Sequence, residues 1–216
     1  MPPSAAVLPL TPDDLRTTAA ACREALTPAL DRDWERRAGS LDWSCRRTVD
    51  HIADALTAYA AHFAMRARER LPRLRSGNPE LAPAELLVAV ESAAAILADV
   101  VRAAPPDARG WHPAGLADGT GFLGMACTEV LVHTSDVAEG LGQSFAPPAD
   151  LAARVLARLF PWAPLDGDAW ATLRWACGRA ALGDREQLAA DWYWHCAPLA
   201  EWDGTIRKRT MPPGWR

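Results

Sequence analysis

Apolar side chains recur at three- and four-residue intervals along most of the chain. In the clearest case, Leu86, Val90, Ala94 and Leu97 place one apolar stripe on a helix that begins at Pro83. The same spacing, with capping residues and breakers, predicts four long helices, over residues 11–33 with a break near Pro28, 42–71, 83–103 and 120–140. Because the loops between them are short or moderate, these helices predict a bundle.

The last third of the chain has a different pattern, in which tryptophan is frequent. Helices are predicted over residues 147–160 and 168–182, and the aromatic segment 191–196 predicts a short strand. Core packing is the preferred interpretation of the tryptophans, and the alternative is that they cover the bundle mouth or a partner. These tryptophans are Trp162, Trp170, Trp175, Trp192, Trp194, Trp202 and Trp215. We therefore predict an all-α fold, with a four-helix bundle over residues 1–145 and a small Trp-rich α(+β) extension over residues 146–216.

Composition excludes several classes of protein. Among 216 residues, 23 basic and 27 acidic side chains give a net charge of −4, which provides no electrostatic footprint for nucleic acid. The five cysteines are odd in number, widely spaced and free of CxxC pairs, so a disulfide framework is not expected. No apolar run is long enough to span a membrane, and the first residues lack the charged segment of a signal peptide. We expect a cytoplasmic protein, with a homodimer as one arrangement.

Glu129, His133 and Asp136 form a polar stripe on the fourth predicted helix. Glu129 and His133 are four residues apart and Asp136 follows three residues later, so the three share one helix face. The surrounding residues are apolar, and polar side chains in a buriable helix are costly unless they are paired or bind a metal ion. The spacing is common on its own, so a surface pair of Glu129 and His133 is the alternative.

A third metal ligand would come from another helix, and His51 is the candidate. Two histidines and one carboxylate form the ligand set of catalytic zinc sites that keep one position open, and iron and nickel also accept this set. His62 lies about 16 Å further along the same predicted helix, so it cannot join the same ion. His112 lies in a predicted loop and His195 in the Trp-rich part, and either could enter a pocket.

Residues 119–124 spell Gly-x-Gly-x-x-Gly, the pattern of dinucleotide-binding loops. That pattern requires a preceding strand and a βαβ unit, and no strand is predicted over residues 113–118. Nucleotide binding is therefore not expected. Thr120 is the predicted cap of the fourth helix, and binding of a substrate carboxylate at this helix end is the alternative.

Two motifs on separate helices resemble those of a known family. A W-[ST]-x6-H pattern on the second helix and an E-x3-H-x2-D pattern on the fourth, followed by a glycine, resemble the DinB/YfiT-like metal-binding superfamily. Its most similar branch is the N-terminal domain of mycothiol-dependent maleylpyruvate isomerases. The matching positions are Trp43, Ser44, His51, Glu129, His133, Asp136 and Gly140. The resemblance covers about residues 10–142 and extends weakly to an L-x-W-x-x-G-R run at 173–179.

The resemblance implies a catalytic set of four residues. His51, Glu129 and His133 would bind one divalent metal ion, with zinc expected and nickel or iron as alternatives, and Asp136 would orient His133 or a ligand. The resemblance also implies a low-molecular-weight thiol of the mycothiol type as co-substrate. The metal ion would stabilise the thiolate form of that thiol. A small electrophile would be the second substrate, with no role for nucleic acid or membrane.

The resemblance leaves the reaction open. A thiolate that adds to the electrophile and stays makes the protein an S-transferase, whereas one that adds, allows bond rotation and leaves makes it a cis–trans isomerase. The alternative is a non-catalytic metal-binding or regulatory module. Arg66, Arg68 and Arg73 are available to bind substrate, and nothing in the sequence selects among them. Arg179, in the 173–179 run, is predicted as a helix-end charge, with a pocket cation as the alternative.

Overall fold

The computed structural model describes residues 8–78 and 80–209, so Trp215 lies outside the described residues. The helices and strands are α1 (Pro12–Leu26), α2 (Cys45–Ala64), α3 (Pro83–Ala103), β1 (Gly110–His112), β2 (Gly115–Ala117), α4 (Gly119–Gly140), α5 (Ala149–Leu159) and α6 (Ala169–Ala176). Short 3-10 helices occupy Thr27–Ala29 and Leu199–Glu201. The predominantly helical fold is consistent with the predicted all-α class, and β1 and β2 add a small antiparallel hairpin within a segment that was predicted as a loop.

Polar residues cap the first two helices where the sequence predicts helix starts. At α1, the amide of Asp14 donates to Thr11 Oγ1 at 3.4 Å and the amide of Thr11 donates to Asp14 Oδ2 at 2.8 Å. This reciprocal capping box satisfies two backbone donors that the helix leaves without partners. Ser44 caps α2 through its side chain, which accepts a hydrogen bond from the amide of Arg47 at 3.2 Å. α1 ends at Leu26 and not near residue 33, because Pro28 follows closely.

α2 also ends earlier than predicted, at Ala64 and not near residue 71. Arg66 has a φ of 47°, in the left-handed region that an α-helix cannot contain. The chain then turns back beside α2 as a loop, in which Arg75 forms ion pairs with Asp50 and Asp54 of that helix. Residues 65–71, which were predicted as helix, therefore belong to a loop that lies beside α2.

α4 is the central helix. It contacts α1, α2, α3 and α5, and residues on all of its sides are buried. The hairpin packs against the C-terminal end of α2, where the amide of Trp111 donates to the carbonyl oxygen of Ala67 at 2.8 Å. Because α4 is enclosed, the polar side chains of Glu129, His133 and Asp136 need partners inside the protein.

The start of α4 differs from the prediction. Asp118, and not Thr120, caps the helix and accepts a hydrogen bond from the amide of Gly121 at 2.7 Å. Arg158 of α5 donates to Asp118 at 2.5 Å and to Thr120 at 2.8 Å, so protein groups occupy this helix end and the predicted alternative of a substrate carboxylate there is wrong. A strand does precede the Gly-rich segment, contrary to the prediction, but it belongs to an antiparallel hairpin and not to a βαβ unit.

Two glycines of this segment allow the C-terminal part of the chain to approach α4. A Cβ atom added at Gly121 would overlap the carbonyl oxygen of Cys196, and one at Gly124 would lie 2.9 Å from Cγ of Leu159. We expect Gly121→Ala to lower the free energy of unfolding by about 1–3 kcal/mol in urea titrations, because the backbones must separate. The control is Gly167→Ala, where the added Cβ meets nothing within 4 Å and the change should stay within about 0.5 kcal/mol. Equal effects of the two substitutions would contradict this account of Gly121.

The C-terminal part packs on the four long helices through α5, which contacts α4. Trp175, Trp192 and Trp194 are buried, in agreement with core packing. The strand predicted over residues 191–196 is wrong, because Trp192 makes only an isolated bridge with Lys208. The boundary at residue 145 stays a prediction.

Among the described residues, no helix has both the length and the apolar character needed to cross a membrane.

Candidate metal centre

Three side chains from two helices converge between α2 and α4. Oε2 of Glu129 lies 3.6 Å from Nε2 of His51 and 3.2 Å from Nε2 of His133, and one donor atom of each residue lies within 4.8 Å of the others. Ligands of a tetrahedral zinc ion lie about 3.3–3.6 Å apart, from bond lengths of about 2.0–2.2 Å. The donor types and their spacing therefore fit a divalent metal ion, although metal binding by these residues stays a prediction.

Tyr59 holds Glu129 in this orientation. Its hydroxyl donates to Oε1 of Glu129 at 3.1 Å, which leaves Oε2 facing both histidines. Burial raises the pKa of Glu129, but its contacts with His133 and His51 outweigh burial and hold the pKa well below its usual range. Burial and the neighbouring carboxylate both raise the pKa of Tyr59, so the hydroxyl keeps its proton. Glu129 is therefore ionised, with one oxygen accepting a hydrogen bond from Tyr59 and the other directed towards the two histidines.

Asp136 fixes the ring of His133. Nδ1 of His133 lies 3.1 Å from Oδ2 of Asp136 and donates its proton to that carboxylate, which fixes the ring with Nε2 directed towards Glu129. Burial lowers the pKa of His133, but Asp136 and Glu129 outweigh burial and raise it. Such a carboxylate–histidine pair orients a metal ligand in many metal sites.

Arg179 completes this chain of contacts from outside the four long helices. Its guanidinium donates to both oxygens of Asp136, from Nε to Oδ1 at 3.0 Å and from Nη2 to Oδ2 at 3.0 Å, and both side chains are buried. α6 ends at Ala176, before Gly178 with a φ of 67°, and this turn directs Arg179 towards α4. Arg179 also donates from Nη1 to the carbonyl oxygen of Cys177, the C-cap of α6, at 3.2 Å, so the predicted helix-end contact is present. Its pairing with Asp136 was not predicted, and the 173–179 run was the signal that could have indicated it.

His51 lies on the open side of the cluster. Its side chain is 31% exposed, against 4% for His133. The ring of Trp43 packs edge-on against it with centroids 5.0 Å apart, and the guanidinium of Arg47 covers Trp43 at 4.5 Å. Packing therefore explains the interval between Trp43 and His51, because the tryptophan ring holds the partly exposed imidazole in place.

A cavity of about 270 Å³ opens beside His51 and Glu129. Its walls come from α2, β1 and the loop after α2, and Arg70 and Arg73 lie on that loop. Of the three arginines suggested by the sequence, Arg73 lines the cavity, and Arg66 and Arg68 are not among the described lining residues. The volume approaches that of small-molecule sites, so a small ligand could reach the histidine–carboxylate cluster.

His62 and His195 do not belong to the cluster. Nδ1 of His62 donates to the carbonyl oxygen of Ala58 at 2.7 Å and its Nε2 accepts from the amide of Leu71 at 3.1 Å, so this ring anchors the loop. His195 contacts the carbonyl oxygen of Pro198 at 3.0 Å through Nε2. Sequence reasoning did not select Tyr59, and for Arg179 it preferred a helix-end charge to a pocket cation. The contacts of both residues with α4 arise only from packing.

The five cysteines are free and buried, and burial raises the pKa of each thiol. Cys177 lies nearest to the cluster, in a second, much smaller cavity that Glu129 and His133 also line. Its pKa is raised above the range in which a thiolate forms near neutral pH.

Comparison with known families identifies the family to which the chain belongs. The family described as the mycothiol maleylpyruvate isomerase N-terminal domain matches residues 13–138, which is more than half of the chain. The matched segment contains His51, Glu129, His133 and Asp136, whereas Arg179 lies beyond it. No curated protein and no solved structure matched the chain. The chain therefore belongs to the mycothiol maleylpyruvate isomerase N-terminal domain family, which is a DinB-like family.

Proposed function

We propose that this protein is a divalent-metal-dependent enzyme that activates a low-molecular-weight thiol of the mycothiol type. The thiol would be used for S-transfer to, or cis–trans isomerisation of, a small electrophile. The observation that carries the proposal is the convergence of His51, Glu129 and His133 at the wall of an open cavity. We further propose that α1 to α4 form the DinB-like four-helix bundle and that residues 146–216 are an extension packed on it.

His51, Glu129 and His133 would hold the metal ion, with zinc expected and nickel or iron as alternatives. Such an ion would lower the pKa of a thiol that coordinates it, so that the thiolate is present near neutral pH. The exposure of His51 supports access from the cavity, because its side chain is 31% exposed, against 13% for Glu129 and 4% for His133. A set of only three protein ligands leaves a position for the thiol.

The remaining residues of the site would act by positioning. Asp136 holds the proton of His133 on Nδ1, and Arg179 holds Asp136 through two parallel hydrogen bonds. Tyr59 restrains Glu129 from the opposite side. The buried cysteines support an external thiol, because burial raises the pKa of each of the five thiols.

Metal analysis and thermal melting test the proposal. We expect full-length protein to purify with about one equivalent of zinc, nickel or iron, and mycothiol to raise its melting temperature. A ligand at about 100 times its Kd adds about 2.7 kcal/mol of stability, which is easily measured. The stabilisation should disappear after chelation, because the thiol needs the metal ion.

S-methylated mycothiol is the matched control, since it lacks only the ionisable thiol and should stabilise the protein less. Metal-free protein whose melting is indifferent to chelator would overturn the metal site. Metal-loaded protein that ignores mycothiol would favour a non-catalytic metal-binding or regulatory module.

A further inference from the structure

His112 occupies a fixed position in the wall of the cavity. It is the last residue of β1 and is 8% exposed. Its ring packs against Tyr59 with centroids 5.4 Å apart and against Trp194 at 5.5 Å. Tyr59 in turn donates to Glu129, so one residue separates His112 from the proposed metal ligands. The proposed function assigns no role to this histidine.

The backbone determines which nitrogen of His112 carries the proton. The amide of Ala114 donates to Nδ1 at 3.0 Å, so Nδ1 is an acceptor. A neutral imidazole has one acceptor and one donor nitrogen, and Nε2 of His112 is therefore the N–H donor. Burial lowers the pKa of His112 to about 3, against a smaller opposite effect of Glu129, so the ring stays neutral near pH 7.

The donor of His112 has no partner in the described part of the chain. Nε2 makes no hydrogen bond there, and it is not among the fully enclosed side-chain atoms without a partner. His112 lines the cavity beside His51 and Glu129 and its Nε2 is not fully enclosed, so the cavity is the route by which a ligand would reach this nitrogen. His62, in contrast, has hydrogen-bond partners at both ring nitrogens.

We propose that His112 binds an acceptor oxygen of the electrophile through Nε2–H, and that the cavity selects electrophiles carrying a carbonyl-type oxygen. The inference rests on the proposed function, because it specifies which ligand the cavity recognises beside the metal centre. A neutral donor suits this task, since it can bind oxygen without bringing a charge into a buried wall. A site built to hydrogen-bond an oxygen also discriminates against analogues that lack it.

The tautomer and the recognition can be measured without metal, thiol or turnover. Full-length protein labelled with 15N-histidine should show His112 protonated at Nε2. Titration with cyclohexanone should shift this resonance, whereas methylenecyclohexane, which has the same shape without the oxygen, should shift it less and bind more weakly. His112→Phe should lose about 2- to 10-fold in affinity for cyclohexanone and keep its affinity for methylenecyclohexane.

Two further measurements keep the outcome decisive. His112→Gln can present an amide N–H from a similar position, and it should recover part of the affinity for cyclohexanone. Mycothiol should bind wild type and the His112→Phe variant with equal affinity, because His112 is proposed to bind an oxygen of the electrophile and not of the thiol. A proton on Nδ1, equal affinity of wild type for ketone and alkene, or a selective loss of mycothiol binding would overturn the inference. The comparison of cyclohexanone with methylenecyclohexane tests His112 even if the protein binds neither a metal ion nor mycothiol.

Discussion

Replacement of His51 by alanine is expected to weaken zinc binding by at least about 100-fold, because the loss of partners outside the ligand set already costs 10–100-fold in other metal sites. His51 supplies the only proposed ligand outside α4, and its Nε2 lies 3.6 Å from the shared oxygen of Glu129. The side chain is 31% exposed, so the substitution should leave the fold intact. Zinc affinity is measured by competition with a chromophoric chelator, and folding by circular dichroism and urea titration.

The matched control is His195→Ala, which removes a histidine that lies outside the cluster and contacts Pro198. This variant should bind zinc as wild type does. Equal zinc affinity of the His51→Ala variant and wild type would exclude His51 from the metal site. A loss of affinity in both variants would indicate a general effect on folding and would leave the proposed ligand set without support.

Arg179→Leu is expected to lower the free energy of unfolding by about 3–5 kcal/mol, because removal of one partner of a buried ion pair leaves the Asp136 carboxylate with His133 as its remaining described partner. Both side chains are almost fully buried, at 6% and 7% exposure. Folded Arg179→Leu protein should also bind zinc about 10–100-fold more weakly, because Asp136 would no longer be held against His133. Urea unfolding and chelator competition measure the two effects separately.

The exposed ion pair between Arg23 and Glu91 provides the control, with side chains that are 44% and 37% exposed. Arg23→Leu should cost about 0–1 kcal/mol, since solvent screens such pairs, and should leave zinc affinity unchanged. Arg179→Lys should rescue only part of the loss, because an ammonium group cannot bind both oxygens of Asp136 in parallel. Reduced stability with unchanged zinc affinity would make Arg179 a structural residue only.

Local rules explain the part of the site that could be predicted. Glu129, His133 and Asp136 share a face because the helix has 3.6 residues per turn, and this needs no tertiary information. His51 was linked to them through the family resemblance, in which the interval from Trp43 was the informative feature. The structure brings the three proposed ligands together, and their binding of a metal ion still depends on the experiments above.

Helix ends and short strands were predicted less well. α2 stops at Ala64 because Arg66 adopts a left-handed conformation, which its residue type does not indicate. The hairpin strands contain three residues each, too few to show an alternating pattern. These errors affect the site, because the loop after α2 and the strand that carries His112 form two walls of the cavity.

The sequence by itself determined the helical character of the chain, the caps of α1 and α2, and the polar stripe on α4, because each depends on neighbours within a few residues. Only the tertiary structure decided the partners of that stripe. Arg179 and Asp136 are separated by 43 positions along the sequence, and Tyr59 and Glu129 by 70. Such contacts depend on how whole helices pack, and no local spacing encodes them. The N–H of His112 likewise depends on the tertiary structure. The amide of Ala114 makes Nε2 the donor nitrogen, and the cavity that His112 lines would give a ligand access to it.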